Sequence, residues 1–309
     1  MAAGLYQSCK VDRLASKFGL VARGASYMWR HGVAATVKRV RDVAAVKRAR
    51  RLRYSDEAAY AEVVSQLDFD VFDGARPPHL HDLTPTERRL YVDVTDLACQ
   101  VPEAIAQLAR SVEYVVDSKI PGAFVECGVF KGASPYVIAR TLLRKNVTDR
   151  DIWLYDTFEG MPKPTEEDVF TTEGEDWTAQ YWEANKNESG TGSGWVMSSE
   201  EDTRANVYKS QYPTDKFIFV KGMVEDTIPG RMPDQIALLR LDTDFFSSVR
   251  HELIHLFPKL ARGGVLIIDD YGAFEGARKA VDEYFAANGV KMCLFRIDEH
   301  VRAGVKLDD

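Results

Sequence analysis

From about residue 84 onward, apolar and polar positions follow two rhythms in turn. Apolar runs of four to six residues at 123–127, 152–155, 217–220, 236–241 and 265–268 have the length and continuity of strands buried on both faces. Between them the apolar spacing widens to that of helices, at 103–117, 134–144, 198–211, 247–260 and 275–287. Ser134 and Pro135 read as N-cap and first helical position, and Ser198 with Glu201 reads as a capping box. Two last strands are expected at 290–297 and 303–307. Repeated alternation of this kind predicts an α/β fold, a mostly parallel sheet covered on both faces.

One stretch breaks the alternation. Residues 160–197 hold Asp168, Glu173, Glu175, Trp177, Tyr181, Trp182 and the run Gly190-Thr191-Gly192-Ser193-Gly194, without a sustained period. Segments of this length are lids, binding loops or unstructured insertions. Aromatic residues beside a glycine run favour a lid over a bound substrate, and a plain surface insertion is the alternative.

Charge changes the picture at the N-terminus. The 309-residue chain carries a net charge of −7, yet residues 1–53 hold 13 Lys and Arg against Asp12 and Asp42 alone. Residues 33–54 read as a basic helix, with Val33, Val37, Val40 and Ala44 at helical spacing. Two readings stay open: a peripheral contact with an anionic membrane, or a solvated helix packed on the core or on a partner subunit. The Gly74-Ala75-Arg76-Pro77-Pro78 stretch reads as a linker. The chain therefore divides into a basic helical extension at 1–80 and a core domain at 81–309. The acidic core excludes nucleic acid as its main partner. No 18-residue apolar run and no secretory signal are visible, and Cys9, Cys99, Cys127 and Cys293 stand far apart. These features together predict a cytoplasmic protein.

The chemistry sits where the strands stop. Leu239-Arg240-Leu241-Asp242-Thr243-Asp244 and Val265-Leu266-Ile267-Ile268-Asp269-Asp270-Tyr271 both end in paired acids. In an open α/β sheet, ligands bind beyond the carboxyl ends of the strands. Acids gathered there stay ionised together only beside positive charge. A divalent cation is the simplest source, and hard oxygen ligands suit Mg²⁺. The turn after the first strand, Glu126-Cys127-Gly128-Val129-Phe130-Lys131-Gly132, lets a ligand approach the backbone closely, but it is not a dinucleotide fingerprint. Asp156 ends the second strand, where an acid accepts hydrogen bonds from a ribose. The Lys221-Gly222-Met223-Val224-Glu225 turn follows the third and would flank an adenine. Three such turns suit S-adenosylmethionine better than a dinucleotide. His251 and His255 have metal-chelating spacing on a helix, but no third ligand is evident. They read as a solvated pair, and His300 as at most a residue near the site.

Four ordered stretches carry a family resemblance: 121–132, 153–162, 220–227, and the acidic motifs from Leu239 through Leu256-Phe257-Pro258-Lys259-Leu260 and Gly263-Gly264 to Tyr271. Over roughly residues 84–309 the chain resembles the macrocin O-methyltransferase (TylF-type) family of methyltransferases. The resemblance implies a class I methyltransferase fold, Rossmann-like, with a seven-stranded sheet. It also implies Mg²⁺-dependent methyl transfer from S-adenosylmethionine to a sugar hydroxyl of a glycosylated natural product, and a homo-oligomer. By position, Asp242, Asp269 and Asp270 would hold the metal, and Asp244 would be the catalytic base acting with Asp242. Glu126, Gly128, Ser134, Asp156, Gly222 and Glu225 would line the cofactor site. The family often has Asp-Gly-Asp where this chain has Asp242-Thr243-Asp244. Two other readings remain in view: a catechol-type enzyme acting on an aromatic diol, and a non-catalytic scaffold.

Overall fold

A computed structural model describes residues 82–308, apart from 174–176, 189 and 191. The whole 1–80 extension, the basic segment at 33–54 included, thus lies outside the described residues. The first described helix, α1 (Pro85–Val94), opens on a capping box. The Glu87 N–H donates to Thr84 Oγ1, and the Thr84 N–H donates to the Glu87 carboxylate at 2.7 Å. This helix belongs to a compact unit that ends at Asp96, and the unit carrying the sheet runs from Leu97.

Within that second unit, α2 (Pro102–Asp117) leads into β1 (Ala123–Cys127), α3 (Ala133–Arg144) and β2 (Ile152–Asp156). Next come α4 (Trp177–Asn185), α5 (Glu200–Tyr208), β3 (Phe217–Lys221), α6 (Val224–Thr227) and β4 (Ile236–Leu241). The chain closes with α7 (Phe246–His255), β5 (Leu260–Ile268), α8 (Glu275–Asn288), β6 (Phe295–Arg296) and β7 (Arg302–Val305). The described strands form one seven-stranded sheet of order β3-β2-β1-β4-β5-β7-β6. The first five run parallel, and β7 pairs antiparallel with both β5 and β6.

The five apolar runs are strands because they can be covered on both sides. Every residue of β1 and β4 is buried, and each buried Leu, Ile or Phe contributes about 1.5–3 kcal/mol of transfer free energy. The order reverses direction between β1 and β4, and that reversal opens a crevice at their carboxyl ends.

Several boundaries differ from the sequence expectation, each for a local reason. Helix α3 starts at Ala133 on Gly132, whose φ of 85° only glycine adopts readily. Ser134 is therefore buried in the first turn and does not cap it. Ser199, not Ser198, caps α5 by accepting from the Asp202 N–H, while Ser198 pairs with the Thr203 hydroxyl. Strand β5 begins at Leu260, five residues early, because Leu260 pairs with Ile236 before a register shift that absorbs Gly263 and Gly264. The expected strand at 290–297 reduces to Phe295 and Arg296, both exposed at the sheet's edge. Cys99 is disulfide-bonded, a bridge the cysteine spacing did not suggest, whereas Cys127 and Cys293 are free thiols.

The segment at 160–197 is docked on the sheet-bearing unit. Phe170 bridges to Phe274, and the Thr171 N–H donates to the Ala273 carbonyl at 2.9 Å. Helix α4 escapes a periodicity search because its apolar face is aromatic. Trp177 stacks on Tyr181 with centroids 4.9 Å apart, and both meet Trp195 edge-on. Trp195 in turn packs against Phe245 and Phe274.

The close approach of the chain just past the ends of β1 and β4 supplies a test of the fold. A Cβ on Gly128 would collide with the Asp242 carbonyl, whereas one on Gly289, the left-handed cap of α8, meets nothing. Gly289→Ala should cost only the strain of its conformation, about 1 kcal/mol. Gly128→Ala should cost on the order of 3 kcal/mol or more. Equal shifts in thermal midpoint for the two variants would contradict this packing.

Candidate active site

The centre of the site is a charge inside the sheet. Arg240 lies in β4 directly opposite Glu126 of β1, and its side chain is only 3% exposed. One guanidinium nitrogen reaches Glu126 Oε1 at 2.6 Å and Asp242 Oδ2 at 2.5 Å. A second reaches Asp269 Oδ1 at 2.6 Å. The strand pleat explains the convergence. Arg240 and Asp242 are two residues apart on one face, Glu126 is the cross-strand partner of Arg240, and Asp269 follows the Leu241–Ile268 pair. Sequence reasoning did not assign Arg240. The visible signal was a pair of charges, Glu126 and Arg240, each inside an otherwise apolar strand.

A second group forms beside this one. Asp242, Asp244 and Asp270 each offer a carboxylate oxygen, and these oxygens lie within 4.8 Å of one another. Among the described residues this is the one cluster of three or more potential metal ligands. Asp269 instead faces Arg240. Asp244 is buried and has a φ of 64°, a left-handed conformation uncommon outside glycine and frequent at functional sites. Burial pushes the Asp242 and Asp270 carboxyls well above the usual carboxylate range. Arg240 opposes that rise at Asp242, while Asp269 adds to it there and Asp244 adds to it at Asp270. An all-oxygen donor set that burial drives towards protonation fits a hard divalent cation, which would let the acids ionise together.

The carboxyl ends of β1, β2 and β3 bring together the residues expected at a cofactor. Asp156 closes β2, and its carboxylate accepts the N–H groups of Val129 at 2.7 Å, Phe130 at 2.9 Å and Phe158 at 2.6 Å. It thereby braces the turns after β1 and β2. Burial raises its carboxyl, and these three backbone bonds pull the other way. Helix α5 supports the same turn, with Thr203 Oγ1 donating to the Phe130 carbonyl at 2.7 Å and Asn206 to the Lys131 carbonyl at 3.2 Å. Neither residue was singled out from the sequence. The Gly222 N–H donates to the Asp156 carbonyl. Glu225, in α6, keeps a buried carboxylate oxygen without a hydrogen bond, as does Glu126. Ser134, in the first turn of α3, accepts from Gln100 and faces Glu126. Unused acceptors at two of these positions leave the crevice able to receive a polar cofactor.

Two of the histidines face each other on α7. The His251 and His255 rings lie 4.4 Å apart, and His251 Nε2 meets the Ile228 carbonyl at 2.9 Å. Burial and then His251 lower the His255 pKa. His300 pairs with Glu299 at 3.4 Å.

Residues 98–303 match the family described as macrocin-O-methyltransferase (TylF). The chain belongs to this family. It is 34% identical over 191 residues, covering 62% of this chain and 68% of the relative, to the 8-demethyl-8-(2,3-dimethoxy-alpha-L-rhamnosyl)-tetracenomycin-C 4'-O-methyltransferase of Streptomyces olivaceus. It is 32% identical over 194 residues, 63% of this chain and 70% of the relative, to the demethyldecarbamoylnovobiocin O-methyltransferase of Streptomyces niveus. Among solved structures, the O-methyltransferase NovP superposes with a TM-score of 0.59 at 27% identity, over 68% of this chain and 82% of that one. This TylF-family protein therefore has the class I methyltransferase fold and is an S-adenosylmethionine-dependent O-methyltransferase. No helix among its described residues is long and apolar enough to cross a membrane.

Glu126 gives a pH test of this site. Burial raises its carboxyl from 4.5 to about 7, against the pull of Arg240. The folded state thus keeps a proton that the unfolded chain has released, so this contribution to stability is full below pH 4.5 and fades as pH rises through 7. Relative to Glu126→Gln, the wild-type protein should lose unfolding free energy between these limits. Urea midpoints at pH 5 and pH 7.5 measure it, and a difference that stays flat or grows would contradict the assignment.

Proposed function

We propose that this protein methylates a sugar hydroxyl of a glycosylated small molecule and does so with a divalent cation, Mg²⁺, held by Asp242, Asp244 and Asp270. The observation that carries the reading is the convergence of these three carboxylates within 4.8 Å at the strand ends. The acceptor class draws support from the rhamnosyl group in the name of the Streptomyces olivaceus relative.

A cation bound there supplies Lewis acidity that lowers the pKa of an acceptor hydroxyl. S-adenosylmethionine supplies the electrophilic methyl group. The chain's own residues do the rest. Glu126, Gly128, Ser134, Asp156, Gly222 and Glu225 line the crevice at the ends of β1 to β3 and orient the donor. Arg240 takes one oxygen of Asp242 and one of Asp269, which fixes the angle at which Asp242 presents its other oxygen. Asp244 accepts the hydroxyl proton on the carboxylate oxygen that it does not offer to the cation, and its left-handed backbone aims it while its burial limits access of water. General-base assistance of this kind is worth about 10²–10⁴-fold. Holding both reactants in line supplies much of the remaining acceleration.

Four measurements test the reading. Asp244→Asn should lower kcat by about 10²–10⁴-fold while S-adenosylmethionine affinity stays close to wild type. Asp242→Ala should abolish turnover with the same retention of donor binding. EDTA should stop the reaction and Mg²⁺ restore it, and full activity under chelation would refute the cation. A panel of glycoside and catechol acceptors decides the substrate class, with turnover of catechols alone overturning the sugar assignment.

A further inference from the structure

The pleat of β4 that turns Arg240 and Asp242 to one face turns Leu241 and Thr243 to the other. Helix α7 covers that second face and places Glu252 against it. Glu252 has no solvent exposure. Its Oε1 accepts from Thr243 Oγ1 at 2.9 Å, and the Cys127 thiol of β1 abuts the same carboxyl. Burial pushes the Glu252 carboxyl well above the carboxylate range, and nearby Glu225 adds to the rise. A buried carboxyl in this place is costly, because polar groups lose water's hydrogen bonds on burial. No step of the proposed reaction uses it.

Its partner explains its place. Thr243 is the residue between Asp242 and Asp244. Its carbonyl accepts from the Phe245 N–H at 2.7 Å and from Ser248 Oγ at 3.4 Å. With the hydroxyl bond to Glu252, three bonds from the start and middle of α7 hold this one residue. The next residue, Asp244, has a φ of 64°, a conformation that persists in a non-glycine residue only where its surroundings over-determine it. Ser248 and Glu252 are four apart on one face of α7, so a single helix surface grips both the carbonyl and the side chain of Thr243.

We propose that Glu252 is a positioning residue that, through Thr243, fixes the backbone between Asp242 and Asp244 and so sets the spacing of the carboxylates that take the divalent cation. The inference rests on reading that cluster as a cation site. Groups that orient the residues holding a metal typically alter its affinity by about 10–100-fold when removed.

The test uses the full chain with Glu252→Leu, Glu252→Gln, Thr243→Val and the Glu252→Leu/Thr243→Val double variant. Mg²⁺ binding is read by calorimetry, and Mn²⁺ by its electron-spin resonance, both without acceptor. Thr243→Val, nearly isosteric, guards against a Glu252→Leu protein that fails to fold. Thr243→Val and Glu252→Leu should each weaken Mg²⁺ by about tenfold or more and leave S-adenosylmethionine affinity unchanged. Glu252→Gln keeps a carbonyl acceptor for Thr243 and should keep wild-type Mg²⁺ affinity. The double variant should be little worse than either single one, because both remove one bond. Folded Thr243→Val with wild-type Mg²⁺ affinity, or Glu252→Gln as damaging as Glu252→Leu, overturns the inference. A wild-type protein that binds neither Mg²⁺ nor Mn²⁺ overturns the cation reading itself, before any variant is compared.

Discussion

The site depends on one buried guanidinium. Arg240 occupies the strand next to the sheet's reversal, where an unpaired charge would be prohibitive, and three acids from three strands gather on it. Breaking such a buried pair by removing one member typically costs about 3–5 kcal/mol. The planar fork of arginine can meet several carboxylates in fixed directions, which a lysine's point charge cannot. The ends of β1, β4 and β5 are therefore locked to one another by electrostatics as well as by backbone bonds. Arg240 offsets only part of the negative charge around it. Asp242, Asp244 and Asp270 form the cluster where further positive charge would be accommodated.

The two faces of β4 then divide the labour. On one, Arg240 orients Asp242 and Asp269. On the other, Thr243 is held by α7 through Ser248 and Glu252. The acidic motif lies at the point where the pleat ends and the chain turns into a helix, so both faces contribute to its geometry. The neighbouring turn after β1 obeys a similar logic. Gly128 crosses the Asp242 carbonyl too closely for any side chain, and the Asp156 carboxylate gathers the N–H groups that follow.

Much of this was legible in the chain. Five apolar runs gave the five parallel strands, because continuous burial leaves little ambiguity in a short segment. The acids at their ends marked the candidate site. Less legible was the sharing of work among those acids. Spacing alone treats Asp269 and Asp270 as equivalent neighbours, but alternate side chains point to opposite faces, so one meets Arg240 and the other meets Asp244. Helix starts were misjudged where a glycine's left-handed backbone, not a serine hydroxyl, ended the preceding turn, as at Gly132. Helix α4 was hidden because Trp177, Tyr181 and Trp182 do not make an aliphatic stripe. Thr203, Asn206 and Glu252 could not be read at all, since their roles come from contacts between elements distant in sequence.

Asp168 ties the long segment to this arrangement. One of its oxygens accepts from the Thr165 N–H and hydroxyl, closing its own loop, and the other accepts from the Phe246 N–H at the first turn of α7. Gly276 has no side chain to obstruct that approach. A single carboxylate thus terminates the loop and the helix together, two residues beyond Asp244. Undocking of the segment and fraying of the start of α7 therefore draw on the same bond and are thermodynamically linked.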